Sequence, residues 1–405
     1  MEAPDSLAAM RLCLLSTPLT KDFLFQISLT IVRAMKLTIA KEQLLLGLQA
    51  VQNVVGARTT LPILSNVLLA AGDGRLELTA TDLDVTITCS VAATVEEPGR
   101  ATLPVKKFVD IARELTANEL AIEIDEKAVA TIKAGSAYFK VNGLAAEEFP
   151  PLPVFAKNRS ISVQQEKLKA MLRKTSFAVS TDESRYVLNG ILFSLKENKL
   201  ILVATDGRRL ALCEEEAEVG PENQADFIVP TKAINELTRL LHPGSAVDIK
   251  FTENQASFGV QAAGEGAFSA VLITKLVDGN YPNYRQVIPA SPQERIPLNR
   301  EEFFKALRLA EIMTTDKQNS VKLTFSRNQL AITANAPEVG EARQTVAIKY
   351  QGKDFAIAFN PGYLMDPLKA LENDEVFFEL IDELSPGVVK TNEPFLYVIM
   401  PMRMS

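Results

Sequence analysis

At 405 residues, the chain is long enough for two to four domains of roughly 100 to 200 residues each. With 43 Lys plus Arg against 50 Asp plus Glu, its net charge of −7 excludes a generally basic nucleic-acid coat, and 47% apolar with 23% charged residues excludes a disordered chain. One histidine, His242, and three scattered cysteines, Cys13, Cys89 and Cys213, exclude a His-based metal site, a paired-Cys zinc site and a disulfide framework, which fits a reducing, cytoplasmic setting.

In chain order, residues 1–34 come first and differ from the rest. Lys21 and Asp22 split their apolar runs into pieces far shorter than the roughly 20 residues that a membrane span needs. The segment reads as an extension outside the fold, because Met35 opens a clean alternating strand. After it, one unit recurs three times: strand, amphipathic helix, apolar strand pair, second helix, final strands. The opening strands are Lys36-Leu-Thr-Ile-Ala40, Ser160-Ile-Ser-Val-Gln164 and Arg295-Ile-Pro-Leu-Asn299. The strand pairs end in Leu76-Glu-Leu-Thr-Ala-Thr-Asp-Leu83 and Leu200-Ile-Leu-Val-Ala-Thr-Asp-Gly207, with Leu330-Ala-Ile-Thr-Ala-Asn-Ala336 as a weaker third. The second helices follow Pro104, Pro230 and Pro361, since proline suits a helix's first turn. These prolines lie 126 and 131 residues apart, a spacing that means duplicated domains and not a solenoid.

Alternating strands that bury one face, with two helices per unit, predict an α+β fold of three tandem similar domains, each with helices on β-sheet. Proline clusters near residues 149–153 and 289–292 mark the linkers, so the expected domains are 35–153, 154–291 and 292–405. The six predicted helices, 40–54, 105–115, 164–177, 231–241, 300–312 and 362–373, hold 14 basic against 10 acidic residues in a chain that is acidic overall. Lys106 and Arg113, Lys167 and Lys174, and Lys232 and Arg239 each recur seven residues apart, which puts each pair on one helix face. Taken singly, such a face is ordinary solvated surface. Repeated in a duplicated domain, it predicts phosphate contact that positions DNA without reading its bases.

Several segments, in order, carry a resemblance. They are Thr60-Leu-Pro-Ile-Leu-Ser-Asn66, Ala80-Thr-Asp-Leu-Asp84, Leu188-Asn-Gly-Ile-Leu-Phe193, Ala204-Thr-Asp-Gly-Arg-Arg-Leu-Ala211, Lys275-Leu-Val-Asp-Gly-Asn-Tyr-Pro282 and Val398-Ile-Met-Pro-Met-Arg403. Together they make the chain from Met35 onward similar to the bacterial DNA polymerase III beta subunit, the replicative sliding clamp. The resemblance implies a DNA clamp fold in which two chains pair head to tail into a homodimeric ring of six domains. Duplex DNA would pass through without sequence preference, and the replicative polymerase would be tethered for processivity. It further implies an ATP-dependent clamp loader and other clamp-binding proteins as partners, and no catalytic site, cofactor or metal of its own. A clamp paralogue serving repair or drug resistance is the alternative reading.

Residue by residue, the resemblance places a partner-peptide pocket at Leu188, Thr205, Gly207, Arg208, Arg209, Leu210, Pro282, Val287, Asn360, Tyr363, Leu384 and Pro386. The terminal Val398, Ile399, Met400, Pro401, Met402 and Arg403 complete it. Without the resemblance, Met400 and Met402 read as strand core, and Ala-Thr-Asp-Gly as a turn. Gln286 and Gln318 stand where well-known members carry Arg and Phe, and Arg208 where some carry His. The DNA-facing set is Arg58, Lys106, Arg113, Lys167, Arg173, Lys174, Arg185, Tyr186, Lys232 and Arg239. At the ring joint, Phe139 and Val141 on an edge strand would meet Ile312 and Met313 on a third-domain helix. An enzyme built on Asp82, Asp84 or Asp206 is disfavoured, because Asp82 and Asp206 hold equivalent repeat positions and neither a phosphate-binding loop nor a nucleophile elbow appears.

Overall fold

The structure is a computed structural model that describes residues 34–56, 61–155, 159–261, 268–290 and 292–403. The first 33 residues of the expected extension, and Arg58, lie outside the described residues. The fold is α+β, built from three tandem domains of the same plan, and contacts group it into two compact units. Among the described residues, one comprises those within 34–152 together with 268–270, and the other those within 153–261 together with 271–403.

The first unit contains β1 (Met35–Ala40), α1 (Lys41–Val51), β2 (Asn66–Gly72), β3 (Arg75–Thr81), β4 (Val85–Ala92), β5 (Thr94–Glu97), β6 (Gly99–Pro104), α2 (Val105–Glu114), β7 (Glu119–Ile124), β8 (Val129–Ala134) and β9 (Ala137–Asn142). The strands lie in the orders β5–β1–β7–β8–β9 and β4–β3–β2–β6. In β1 the alternation buries Met35, Leu37 and Ile39 and leaves Lys36 and Thr38 partly open, as a strand with one covered face requires. In α2, Val105, Phe108, Val109 and Ala112 recur at helical spacing and are the buried residues. Lys106, Lys107 and Arg113 are left on the exposed side of that helix.

The second unit holds two copies of the plan. One runs through β10 (Arg159–Gln164), α3 (Gln165–Thr175), β11 (Gly190–Lys196), β12 (Lys199–Thr205), β13 (Arg209–Glu216), β14 (Ala225–Pro230), α4 (Thr231–Leu240), β15 (Ala246–Phe251), β16 (Gln255–Gln261) and β17 (Ser269–Lys275). The other runs through β18 (Glu294–Asn299), α5 (Arg300–Glu311), β19 (Val321–Ser326), β20 (Gln329–Ala336), β21 (Gly340–Ala347), β22 (Phe355–Phe359), α6 (Pro361–Ala370), β23 (Glu375–Leu380), β24 (Gly387–Lys390) and β25 (Phe395–Ile399).

The two copies share one eight-stranded antiparallel sheet, ordered β14–β11–β12–β13–β25–β24–β23–β18. Its central seam pairs Arg209 with Ile399, Leu210 with Val398 and Ala211 with Tyr397. The seam therefore brings the Ala-Thr-Asp-Gly turn beside the end of the chain. A second, four-stranded sheet of order β21–β20–β19–β22 completes the third copy. Its core is aromatic, with the Phe325 ring stacked on Phe355 at a centroid separation of 4.8 Å and Phe359 edge-on to Phe378 at 5.7 Å.

Helix α6 carries a proline, Pro367, inside it. Proline has no N–H, so the carbonyl four residues back, on Tyr363, loses its intrahelical donor. The buried Tyr397 hydroxyl of β25 donates to that oxygen at 2.7 Å, which fastens the helix to the seam strand. At the helix start, the Asn360 side chain accepts from the Tyr363 N–H at 3.1 Å, and Pro361 occupies the first turn.

Candidate functional site

The turn between β12 and β13 is built by its own side chains. Asp206 Oδ1 accepts from the Arg208 N–H at 2.9 Å and the Arg209 N–H at 3.1 Å. Thr205 Oγ1 accepts from the Gly207 N–H at 3.1 Å and donates to the Arg209 carbonyl at 2.6 Å. Gly207 has φ +86°, a region that favours glycine. Asp82 plays the same part in the first domain, where its Oδ1 accepts from the Asp84 and Val85 N–H groups at 3.0 and 2.7 Å. Both aspartates are thus turn builders, each with one carboxylate oxygen accepting from two backbone N–H groups.

This turn forms one wall of a cleft of about 140 Å³. Leu188, Thr205, Gly207, Arg208, Arg209 and Leu210 line it from the second domain, Pro282 and Val287 from the segment that follows, and Val398 and Met400 from the end of the chain. The Met400 N–H donates to the Arg208 carbonyl at 3.0 Å, which continues the seam by one residue. Val287 and Met400 are partly exposed at the mouth, while Leu210 and Val398 are buried at its base in one apolar cluster with Leu192, Val203 and Val388. Apolar walls with few charges suit an apolar ligand side chain, and the flexible Met400 thioether can adapt to more than one.

Asn283 and Tyr284 also line the cleft. They lie between Pro282 and Val287, so the bracketing residues were the signal for them. The other residues expected at the pocket are not among those lining this cleft. Ile399 is buried on the opposite side of its strand from Val398. Asn360 caps α6, and the Tyr363 ring lies under the Arg209 guanidinium at 4.3 Å. Leu384 and Pro386 sit in the loop before β24, where Asp382 Oδ1 accepts from the Leu384 and Ser385 N–H groups and Leu384 is 87% exposed. The Met402 N–H donates to the Ala358 carbonyl at 2.7 Å, with Pro401 half-buried and Arg403 exposed around it.

Two charges border the cleft, and they differ. Arg209 is compensated. Its Nε donates to Asp206 Oδ2 at 3.0 Å, Nη1 to Asp366 Oδ2 at 2.5 Å and Nη2 to the Phe177 carbonyl at 2.6 Å. Burial opposes its charge, but the hydrogen bond to Asp366 and the nearby carboxylates more than offset that, and its pKa rises. Arg208 is exposed, and its side chain has no ion pair among the described residues.

The basic residues of the helices also divide. Lys106 and Arg113 are exposed on α2 with no side-chain ion pair among the described residues. On α4, Lys232 is exposed and Arg239 pairs with Glu236 at 2.9 Å. On α3, all three expected cations hold carboxylates: Lys167 pairs with Glu215, Arg173 with Glu372 and Lys174 with Glu393. Lys174 is only 9% exposed, so its ammonium belongs to the contact between the second and third domains and not to an open surface. The hydrogen bond from Lys174, joined by one from Asn373, holds the Glu393 carboxyl below its ordinary range. Arg185 pairs with Asp182 at 3.6 Å, beside the exposed Tyr186.

On β9, an edge strand, Tyr138 and Phe139 are exposed and Val141 is half-covered. Ile312 and Met313 lie just past the C-terminal end of α5 and not within it, with Ile312 66% exposed. Among the described residues, no cluster of His, Cys, Asp and Glu could hold a metal ion, and no helix is long and apolar enough to cross a membrane.

Sheets joined at a seam beside an apolar cleft, with two helices in each of three repeats and exposed basic residues on α2, describe a clamp-type fold, and comparison with known proteins identifies the family. The chain matches the models for the DNA polymerase III beta subunit: N-terminal domain over residues 35–153, central domain over 162–283 and C-terminal domain over 285–403. It belongs to the DNA polymerase III beta subunit family, the beta sliding clamps. It is 36% identical over 374 residues to the beta sliding clamp of Chlamydia trachomatis, covering 92% of this chain and 88% of the relative. It is 35% identical over 376 residues to that of Escherichia coli, covering 91% and 100%. Among solved structures, it resembles the sliding clamp of Bartonella birtlesii bound to griselimycin, with a TM-score of 0.86, 36% identity and coverage of 92% of this chain and 100% of the other. It also resembles the Bacillus subtilis clamp, with a TM-score of 0.85, 30% identity and the same coverage.

Proposed function

We propose that two copies of this chain join head to tail into a ring around duplex DNA and hold the replicative polymerase at its template, without a catalytic centre of their own. The observation that carries this reading is the family match in all three domains, in order, across nearly the whole of residues 35–403. The ring would act by topology. A closed loop cannot leave DNA sideways, so a tethered enzyme stays at high effective concentration beside its primer end. Exposed Lys106 and Arg113 would hold phosphates weakly and without sequence preference, while the acidic remainder of the chain repels DNA elsewhere. Phe139 and Val141 on the open edge of β9 would meet Ile312 and Met313 of a second copy, which covers an otherwise unpaired edge. The cleft at Leu210, Val398 and Met400 would take short apolar segments of the polymerase, the ATP-dependent loader and other clamp-binding proteins in the bacterial cytoplasm.

The test of encirclement is loading onto nicked circular DNA, followed by linearisation. Retention on circles with release from linear ends is expected, and equal release from both refutes it. For the cleft, griselimycin, which is bound to the Bartonella clamp, is the probe, and removal of residues 400–405 should abolish its binding while the dimer persists. Normal griselimycin binding by the shortened chain refutes the assignment of the cleft.

A further inference from the structure

Asp366 lines no part of the cleft, yet the contacts that shape both of its walls converge on the helix that carries it. Arg209 touches the cleft, but each of its three nitrogens is engaged by protein: Nε by Asp206, Nη1 by Asp366 and Nη2 by the Phe177 carbonyl. The guanidinium lies over the Tyr363 ring, 4.3 Å from its centroid, so its face is covered as well. Asp206 is the carboxylate that orders the 205–208 turn through the Arg208 and Arg209 N–H groups. A continuous chain of charged hydrogen bonds therefore runs from α6 through Arg209 and Asp206 to one rim of the cleft. On the other side, the Tyr363 carbonyl of α6 accepts from Tyr397, one residue before Val398. One helix thus holds the turn by a charge pair and the terminal strand by a hydroxyl.

We propose that Asp366 is a positioning residue for the ligand cleft, and that through Arg209 it couples occupancy of the cleft to the docking of α6 on the second domain. This rests on the reading of the cleft as the ligand site. Breaking the pair leaves Arg209 half-buried with one donor unpaired and releases the turn from the helix. Coupling is reciprocal, so a ligand that braces the turn also tightens α6.

The experiment uses the full chain, with griselimycin as the probe. Asp366→Asn keeps the side chain's size and removes its charge, and should weaken griselimycin binding about fivefold to tenfold by calorimetry. Lys369→Met is the control. Lys369 Nζ contacts the same carboxylate at 3.4 Å without touching Arg209, and the variant should bind as the unaltered protein does. In the unaltered chain, griselimycin should slow hydrogen exchange of the amides of residues 362–371 other than Pro367, and this arm decides the question even where Asp366→Asn fails to fold. Undiminished affinity in a folded Asp366→Asn variant, or unchanged exchange across α6 on binding, overturns the proposal. Absence of griselimycin binding to the unaltered chain overturns the reading of the cleft itself, and the coupling with it.

Discussion

Lys174 tests a phosphate contact, which its spacing on the helix suggested, against a fastening between domains, which its pairing with Glu393 adds. Its side chain is 11% exposed, and its partner Glu393 is 50% exposed. Removing one member of a fully buried pair costs about 3–5 kcal/mol, whereas an exposed pair contributes about 0–1 kcal/mol. In Lys174→Met the stem remains packed, the half-exposed Glu393 regains water, and Asn373 still donates to it at 3.1 Å. The expected loss is therefore about 1–2 kcal/mol, or a fall in Tm of about 3–6 °C for a unit of this size. Differential scanning calorimetry reads that loss, and fluorescence anisotropy with labelled duplex across a salt series reads DNA binding. Lys106→Met, at an exposed position, should leave Tm within about 1–2 °C and reduce the log–log salt slope by about 0.9, the share of one phosphate. Lys174→Met should leave that slope unchanged. An unaltered Tm with a reduced slope in Lys174→Met would refute the structural role.

Gly207→Ala should cost about 1 kcal/mol for its positive φ, because the new Cβ, 2.9 Å from Arg185 Nη1, meets only the movable end of a side chain. Griselimycin affinity should fall with it, and calorimetric titration showing no change would exclude the turn as a wall of the ligand site. Acid should loosen the contact between the second and third domains. Glu393 is held below the ordinary glutamate value of 4.5 in the fold, so its stabilisation is present above that pH and is lost as pH falls through the folded value. Melting curves between about pH 6 and pH 3 should therefore show a drop that Glu393→Gln reduces. Burial raises the thiol pKa of Cys89 to about 12 and of Cys213 to about 11. In a Cys13→Ser chain, maleimide at about pH 8 should accordingly label neither until denaturant is added.

The parts of this architecture visible in the sequence are those set by local periodicity. Val105, Phe108, Val109 and Ala112 announce a helix with one buried face, Met35, Leu37 and Ile39 a strand, and the three prolines the starts of equivalent helices. The Thr-Asp pairs at residues 81–82 and 205–206 were readable as turns because Asp bonds to nearby backbone N–H groups. The partners of the cations were not readable. Spacing by seven fixes a helix face but not what packs on it, and Lys174 meets a carboxylate 219 positions later. Arg209 meets Asp366 across 157 positions, which no local pattern encodes. Asn283 and Tyr284, between Pro282 and Val287, were missed because the single short 3-10 turn at Tyr284–Val287 is too brief to show a period in the sequence.

The seam between β13 and β25 has a bearing on how the protein is made. Arg209 and Ile399 are partners roughly 190 residues apart, so at ribosomal rates of about 5–20 residues per second the middle of the chain waits on the order of 10–40 s for the strand that covers it. Throughout synthesis, an apolar ribbon carrying Leu210 and Leu212 stands with one flank uncovered, open to pairing with a neighbouring nascent copy. Until β25 is made, the free edge of β13 is thus the place in this sheet where misassembly with another nascent chain can begin.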